Sequence, residues 1–262
     1  MKNTEILHNQ IEQLNINKDS IVLMHSSLRS IGKEFDANTL IDIFKNYLED
    51  GLFCIPTHTW AFLENEFVLD LTAPKTCIGT LPDIAIKRED ALISLHPTHS
   101  MAVFGKSDIA NSFIKDEPLS TTPTPELGCY GKLYSKGGYV LLAGVSHNRN
   151  TYIHAIEEML GVENRIDSNA KEVKIKDRKG NIHNRIIHPH KAVGIGDVSL
   201  NYVKYEDAFR YHGCIHDVMI GNSQAMLCSA VGMKEVVELI KKRSGYKDIL
   251  INSDPLPFEL YK

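Results

Sequence analysis

Gly137-Gly138-Tyr139-Val140-Leu141-Leu142-Ala143-Gly144-Val145-Ser146-His147-Asn148-Arg149-Asn150-Thr151-Tyr152-Ile153-His154-Ala155-Ile156-Glu157-Glu158-Met159-Leu160 is the stretch on which fold and chemistry both turn. Tyr139 to Val145 is apolar and short enough for a buried strand, a polar turn follows, and a helix begins near Thr151. His154 is followed at three and four residues by Glu157 and Glu158, spacings that put both carboxylates on the imidazole's side of that helix. A strand leading through a polar loop into a helix that carries a base and an acid is a common frame for an active site, because the rigid elements fix the geometry.

Upstream, the same texture recurs. Thr4 is expected to cap a first helix with Ile6, Leu7, Ile11 and Leu14 on its apolar face. The apolar run Ile21 to Met24 predicts a buried strand ending in His25-Ser26-Ser27-Leu28, where the hydroxyls either cap a short helix or, with their amides, meet a phosphate. Asp36 and Asn38 introduce a helix to about Leu48, and the strand Leu52 to Ile55 runs out into Pro56-Thr57-His58-Thr59-Trp60. An extended chain there would turn the rings of Trp60 and Phe62 to one side. Residues 64–78 lack periodicity and predict an excursion over the surface. A helix opens at Gly79-Thr80-Leu81, and Leu92 to Leu95 leads into His96-Pro97-Thr98-His99-Ser100 and the strand Met101 to Gly105. His96 and His99 suit a metal by type but have no third ligand at a recognisable spacing.

Ser107 is expected to cap a helix to Ile114, and the proline-broken residues 116–126 suit the wall or lid of a pocket. Downstream of Leu160, Glu172 to Asp177 and Asn181 to Ile187 alternate about Arg178-Lys179-Gly180, a hairpin signal. His188-Pro189-His190 reads as its solvated end. Asn201 to Tyr211 predicts a helix with Tyr202, Tyr205, Ala208 and Phe209 on one face; a strand from Cys214 to Ile220, a return through Cys228, and a helix from Met233 to Lys242 close the chain. The expectation is one α/β domain over residues 1–262, with a mixed central sheet flanked by helices and an antiparallel hairpin portion in the second half.

A formal charge of -4 excludes a strongly basic nucleic-acid binder and slightly favours a cationic small substrate. Cys54, Cys77, Cys129, Cys214 and Cys228 are odd in number and widely spaced, so they predict reduced thiols and a cytoplasmic setting, and the amphipathic start Met1 to His8 lacks the apolar core of a signal peptide.

Four segments taken together carry a resemblance: Met24-His25-Ser26-Ser27-Leu28 to Gly32, Pro56-Thr57-His58-Thr59-Trp60, Ser94-Leu95-His96-Pro97-Thr98-His99-Ser100-Met101-Ala102 to Gly105, and Gly137-Gly138 to Leu142 with Thr151-Tyr152-Ile153-His154-Ala155-Ile156-Glu157. In order and approximate spacing they resemble the aminoglycoside 3-N-acetyltransferase family, whose α/β fold is distinct from the common acetyltransferase superfamily. The resemblance implies acetyl transfer from acetyl-CoA to an amino group of a 2-deoxystreptamine antibiotic, with His154 matching the catalytic histidine and Glu157 its carboxylate. His25, Ser26, Ser27, Leu28, Thr98 and Ser100 are the candidate CoA contacts; His58, Trp60, Thr151 and Glu158 are those for the acceptor. Direct transfer needs no metal and no covalent intermediate, so Ser26, Ser27 and Cys129 are not expected to carry acetyl.

Departures from the family pattern fall where an acceptor would sit. Ile93 stands where an arginine is usual, residues 118–131 differ from the usual glycine-rich version, and the excursion after Trp60 is short. The acceptor alternatives are therefore an aminoglycoside and a biosynthetic amino sugar on a nucleotide or glycan precursor; a non-catalytic CoA-binding protein is the third reading. A homo-oligomer is compatible with all three.

Overall fold

The strands that expose their carboxyl ends along one edge of a twisted sheet decide where a site forms. A computed structural model describes residues 3–192 and 196–262. Met1 and Lys2 of the N-terminal reading lie outside those residues. In chain order the strands are β1 Ile21–Ser26, β2 Leu52–Pro56, β3 Leu69–Asp70, β4 Leu92–Ile93, β5 Met101–Gly105, β6 Tyr139–Ala143, β7 Lys171–Lys176, β8 Ile182–Ile187, β9 Ile215–Ile220 and β10 Ser223–Ser229. The helices are α1 Asn3–Glu12, α2 Leu28–Ile31, α3 Ala37–Tyr47, α4 Thr80–Ala85, α5 Ser107–Ile114, α6 Cys129–Ser135, α7 Tyr152–Met159, α8 Glu206–Tyr211 and α9 Ala230–Arg243. Among the described residues no helix is long and apolar enough to cross a membrane.

A seven-stranded sheet has the order β4-β5-β2-β1-β6-β10-β9. β1 pairs in parallel with β2 on one side and with β6 on the other, Leu23 facing Cys54 and Val140. Antiparallel pairing then begins on both flanks, at β2–β5 and at β6–β10. The mixed sheet agrees with the sequence expectation, except that the first half contributes antiparallel strands as well. That arrangement matters for the site: the chain leaves β1, β2 and β6 at their carboxyl ends and enters β5 and β10 at their amino ends along the same edge, and β1 is where strand order reverses.

Alternation on β1 separates two cores. Val22 and Met24 join Phe53, Ile55 and Phe104 under α1 and α3, where Phe44 stacks on Phe53 with centroids 4.5 Å apart. Leu23 joins Cys54, Val103, Val140 and Leu142 under α6, α7 and α9. Asp36 caps α3, its carboxylate accepting from the Thr39 N–H at 2.8 Å. Two other expected caps differ. Thr4 lies inside α1, and Ser107 is the first residue of α5, where its hydroxyl accepts from the Asn111 side chain.

Residues 64–78 are not a surface excursion. Val68, Leu69 and Leu71 are buried, and β3 pairs in parallel with β7 in a second sheet ordered β3-β7-β8. A two-residue strand has no readable period, which is why the segment looked unstructured. The expected helix 201–211 begins as 3-10 turns, Val198–Tyr205, before α8. All five cysteines are unpaired.

Candidate active site

Gly144, just past β6, starts the site. Its φ is +68°, and a Cβ there would meet the Ser30 Cβ at 2.5 Å and the Ser223 Oγ at 2.7 Å, so glycine alone lets the chain turn against α2 and β10. A 3-10 turn over His147–Arg149 follows, Thr151 sits at the N-cap of α7, and Tyr152, Ile153 and Ile156 bury the helix's inner face. His154 is thereby presented at the sheet's carboxyl edge, in the wall of a cavity of about 800 Å³.

The hydrogen bonds behind His154 fix its chemistry. The Tyr202 O–H donates to Glu157 Oε2, and the Tyr202 hydroxyl oxygen lies 2.7 Å from His154 Nδ1. Glu157 Oε1 accepts from Arg165 Nε at 2.6 Å, and the other two guanidinium nitrogens grip Asp248 at 2.8 and 2.9 Å. As the partner of a guanidinium, Glu157 acts as a carboxylate and can only accept. Tyr202 has one proton and gives it to Glu157, so its oxygen must accept from His154, which therefore carries its proton on Nδ1. Nε2 is left with a free lone pair and has no bonding partner among the described residues. Burial alone would lower the Arg165 guanidinium, but Asp248 and Glu157 outweigh it and hold it above its ordinary value.

Glu157 thus acts on His154 chiefly through Tyr202, its own oxygen being 3.6 Å from Nδ1. Glu158 faces elsewhere. Its carboxylate accepts from the Thr122 and Thr124 hydroxyls and the Thr124 N–H at 2.5 to 2.7 Å, pinning the proline-rich wall, and it does not line the cavity. Burial raises Glu158 above the usual carboxylate range.

The cavity gathers His25, Ser26, His58, Trp60, Thr98, Thr151 and His154 from the sequence candidates. Ser27, Leu28 and Ser100 stand apart from its lining. Ser27 caps α2, accepting from the Ser30 N–H and hydroxyl, so the helix-cap alternative describes it; Leu28 packs on the core. Ser100 is wholly buried and exchanges hydrogen bonds with Thr57. Trp60 opens a 3-10 turn, Trp60–Phe62, instead of an extended segment, and remains 48% exposed at the cavity.

Several members of the site were not legible as such. His190, expected at a solvated strand end, lies over His154 with ring centroids 4.1 Å apart. His99 lies 5.1 Å from His190 and 4.5 Å from His58, whose Nε2 meets the Tyr130 hydroxyl at 2.5 Å. Burial, the largest influence on each, holds His58, His99 and His190 well below the ordinary imidazole value and lowers His25 to about 3. These rings are neutral at pH 7. His96 is structural: Nδ1 accepts from the Thr98 and His99 N–H groups and Nε2 donates to the Thr122 carbonyl, which leaves it no lone pair for a metal. Among the described residues no group of three or more ligand-type side chains is arranged to hold a metal ion.

The model of the aminoglycoside 3-N-acetyltransferase family matches residues 23–242. The chain belongs to this family. An aminoglycoside N(3)-acetyltransferase IV of Salmonella sp. is 30% identical over 156 residues, a match that spans 58% of this chain and 58% of that relative's length. Among solved structures, the apoenzyme of aminoglycoside acetyltransferase AAC(3)-IVa has a TM-score of 0.77 at 19% identity, with 96% of this chain and 92% of that one covered. AAC-IIIb in a binary complex with CoASH has a TM-score of 0.76, also at 19% identity, covering 92% and 96%. At such identity these two likenesses speak for the acetyltransferase family's fold.

The cavity's charge runs against one expectation from composition. The chain's acidic excess is not in the lining, where Asp197 is the one carboxylate among the described residues and already accepts from the Ser199 N–H at 2.9 Å.

Proposed function

We propose that this acetyltransferase-family chain moves the acetyl group of acetyl-CoA directly onto an amino group of an aminoglycoside or related amino sugar, with His154 as general base. The observation that carries the reading is the chain of groups from Asp248 through Arg165, Glu157 and Tyr202 to His154, which ends in an imidazole with its lone pair on Nε2 at a cavity wall. Nε2 takes a proton as the amine nitrogen attacks the thioester carbonyl; the tetrahedral intermediate collapses, the C–S bond breaks, and the proton passes to the departing thiolate. Glu157, through Tyr202, steadies the imidazolium that forms in between. The Ser26 and Thr151 hydroxyls, which line the cavity, are the candidate donors to the developing oxyanion.

Cys129 is an unsuitable acetyl carrier: burial pushes its thiol well above the ordinary value, and the carboxylate of Glu117 adds to the effect. His25, Ser26 and Thr98 would meet the donor, while His58, Trp60 and Thr151 would meet the acceptor. Residues 1–262 would act as one catalytic unit, since β9 and β10, late in the sequence, complete the sheet that β1 begins. Free cysteines and use of acetyl-CoA suit a cytoplasmic setting.

Thiol release from acetyl-CoA, followed in the presence and absence of amines, tests the reading. Release that requires an amine and yields its N-acetyl derivative is the expected result. Release at the same rate without amine, or an acetylated protein isolated by mass spectrometry from acetyl-CoA alone, would contradict direct transfer.

A further inference from the structure

An aminoglycoside carries several ammonium groups, and a cavity built for one needs carboxylates to replace the water they lose. This cavity has a different balance. Of its lining cations, Arg165 is neutralised by Glu157 and Asp248, whereas Arg149 and Lys191 form no ion pair among the described residues. Against these two stands Asp197 alone. The rest of the described lining has no carboxylate, lysine or arginine: it is made of apolar side chains, imidazoles, hydroxyls such as those of Ser26 and Thr151, and the amides of Asn148 and Asn150. Residues 193–195, beside it in sequence, are Val-Gly-Ile and bring no side-chain charge.

Position sharpens the point. Arg149 ends the 3-10 turn between β6 and α7, and β6 pairs with β1, whose last residue, Ser26, is assigned above to the donor. Lys191 immediately follows His190, whose ring lies over His154, and the Lys191 N–H is held by the Arg165 carbonyl at 2.8 Å. Lys191, without an ion-pair partner among the described residues, thus lines the cavity from the position next to the ring that lies over His154. A second ammonium on the acceptor would be repelled there; an anionic group would be drawn in.

We infer that the acceptor is an amino sugar with a single ammonium group and a phosphoryl group, which Lys191 receives while the amine faces His154. The inference rests on the acetyl-transfer reading above and narrows its acceptor. A simple phosphate ester and a nucleotide diphosphate share the chemistry that Lys191 recognises, and they differ in what else must be accommodated.

The test compares kcat/KM at saturating acetyl-CoA for glucosamine, glucosamine 6-phosphate, a UDP-linked amino sugar with a free amine, and gentamicin. At least one phosphorylated acceptor should exceed both glucosamine and gentamicin by about tenfold, the worth of one hydrogen bond to a charged group. The better of the two phosphorylated acceptors identifies the source. Lys191→Glu, at an exposed side chain, should remove that advantage and raise turnover of gentamicin, with an unchanged thermal midpoint. Gentamicin as the best acceptor, or glucosamine equal to its phosphate, would overturn the inference and leave acetyl transfer standing. A Lys191→Glu variant that keeps the phosphate preference would overturn the role of Lys191. Turnover of none of the four, with acetyl-CoA still raising the thermal midpoint, would overturn the acetyl-transfer reading and this inference with it.

Discussion

His154→Ala is expected to lower kcat/KM for acetyl transfer by roughly 10²–10⁴-fold, the usual contribution of a positioned general base. The variant removes an imidazole at the cavity wall whose lone pair is oriented by the Tyr202–Glu157–Arg165 network. It leaves that network closed, because the Tyr202 O–H still donates to Glu157 and Arg165 still joins Glu157 to Asp248. The side chain is 15% exposed and its partners keep their bonds, so the thermal midpoint and the affinity for acetyl-CoA should be close to those of the parent. Thiol-release kinetics, calorimetric titration with CoA and a melting curve read the three quantities separately. Near-normal turnover in the variant would place the base elsewhere; loss of CoA affinity in proportion to turnover would make His154 a binding residue.

The largest stability effect is expected at Arg165, whose side chain is 3% exposed and carries three hydrogen bonds to two carboxylates. Arg165→Met keeps an unbranched apolar stem and removes the charge, leaving Glu157 buried without its cation. Removing one partner of a buried pair costs ~3–5 kcal/mol, because the remaining ion keeps its desolvation penalty. For a domain of about this size that corresponds to a fall in Tm of roughly 6 °C or more. Activity should fall as well, because Arg165 no longer holds Glu157 Oε1 and with it the carboxylate that accepts from the Tyr202 hydroxyl. Adding Glu157→Gln to Arg165→Met should restore part of the midpoint and none of the activity. A single variant that melts with the parent would mean that water, not Arg165, satisfies Glu157.

The sheet's centre and its best helices were legible because each carries its own local signal. The apolar runs at 21–24 and 52–55 are strands, the run from Tyr139 is a strand to Ala143, two residues short of the expected end, and the alternation about Arg178-Lys179-Gly180 is the β7–β8 hairpin. β3 was missed because two residues show no period, and α6 because Gly128 and Gly131 interrupt its start. In the site, the spacing of His154, Glu157 and Glu158 on one helix was legible, while the choice of His154 and Glu157 came from the family resemblance. The groups that act on them come from distant points in the chain. Tyr202 looks like one more aromatic on an apolar face, and only the fold reveals that its hydroxyl reaches between His154 and Glu157. Arg165 and Asp248 are 83 residues apart, and each alone resembles any surface charge. Glu158 shows the converse: the same helical spacing that recommended it places it against Thr122 and Thr124, where it holds the wall in shape.

The proton on Nδ1 of His154 is the claim from which the chemistry follows, and nitrogen NMR of protein labelled with ¹⁵N-histidine reads it directly, with His154→Gln to assign the resonances. In the neutral imidazole, Nδ1 should show the shift of a protonated nitrogen and Nε2 that of a free lone pair. A spectrum with the proton on Nε2 would contradict the account, since the nitrogen facing the amine would then have a proton to give and none to take.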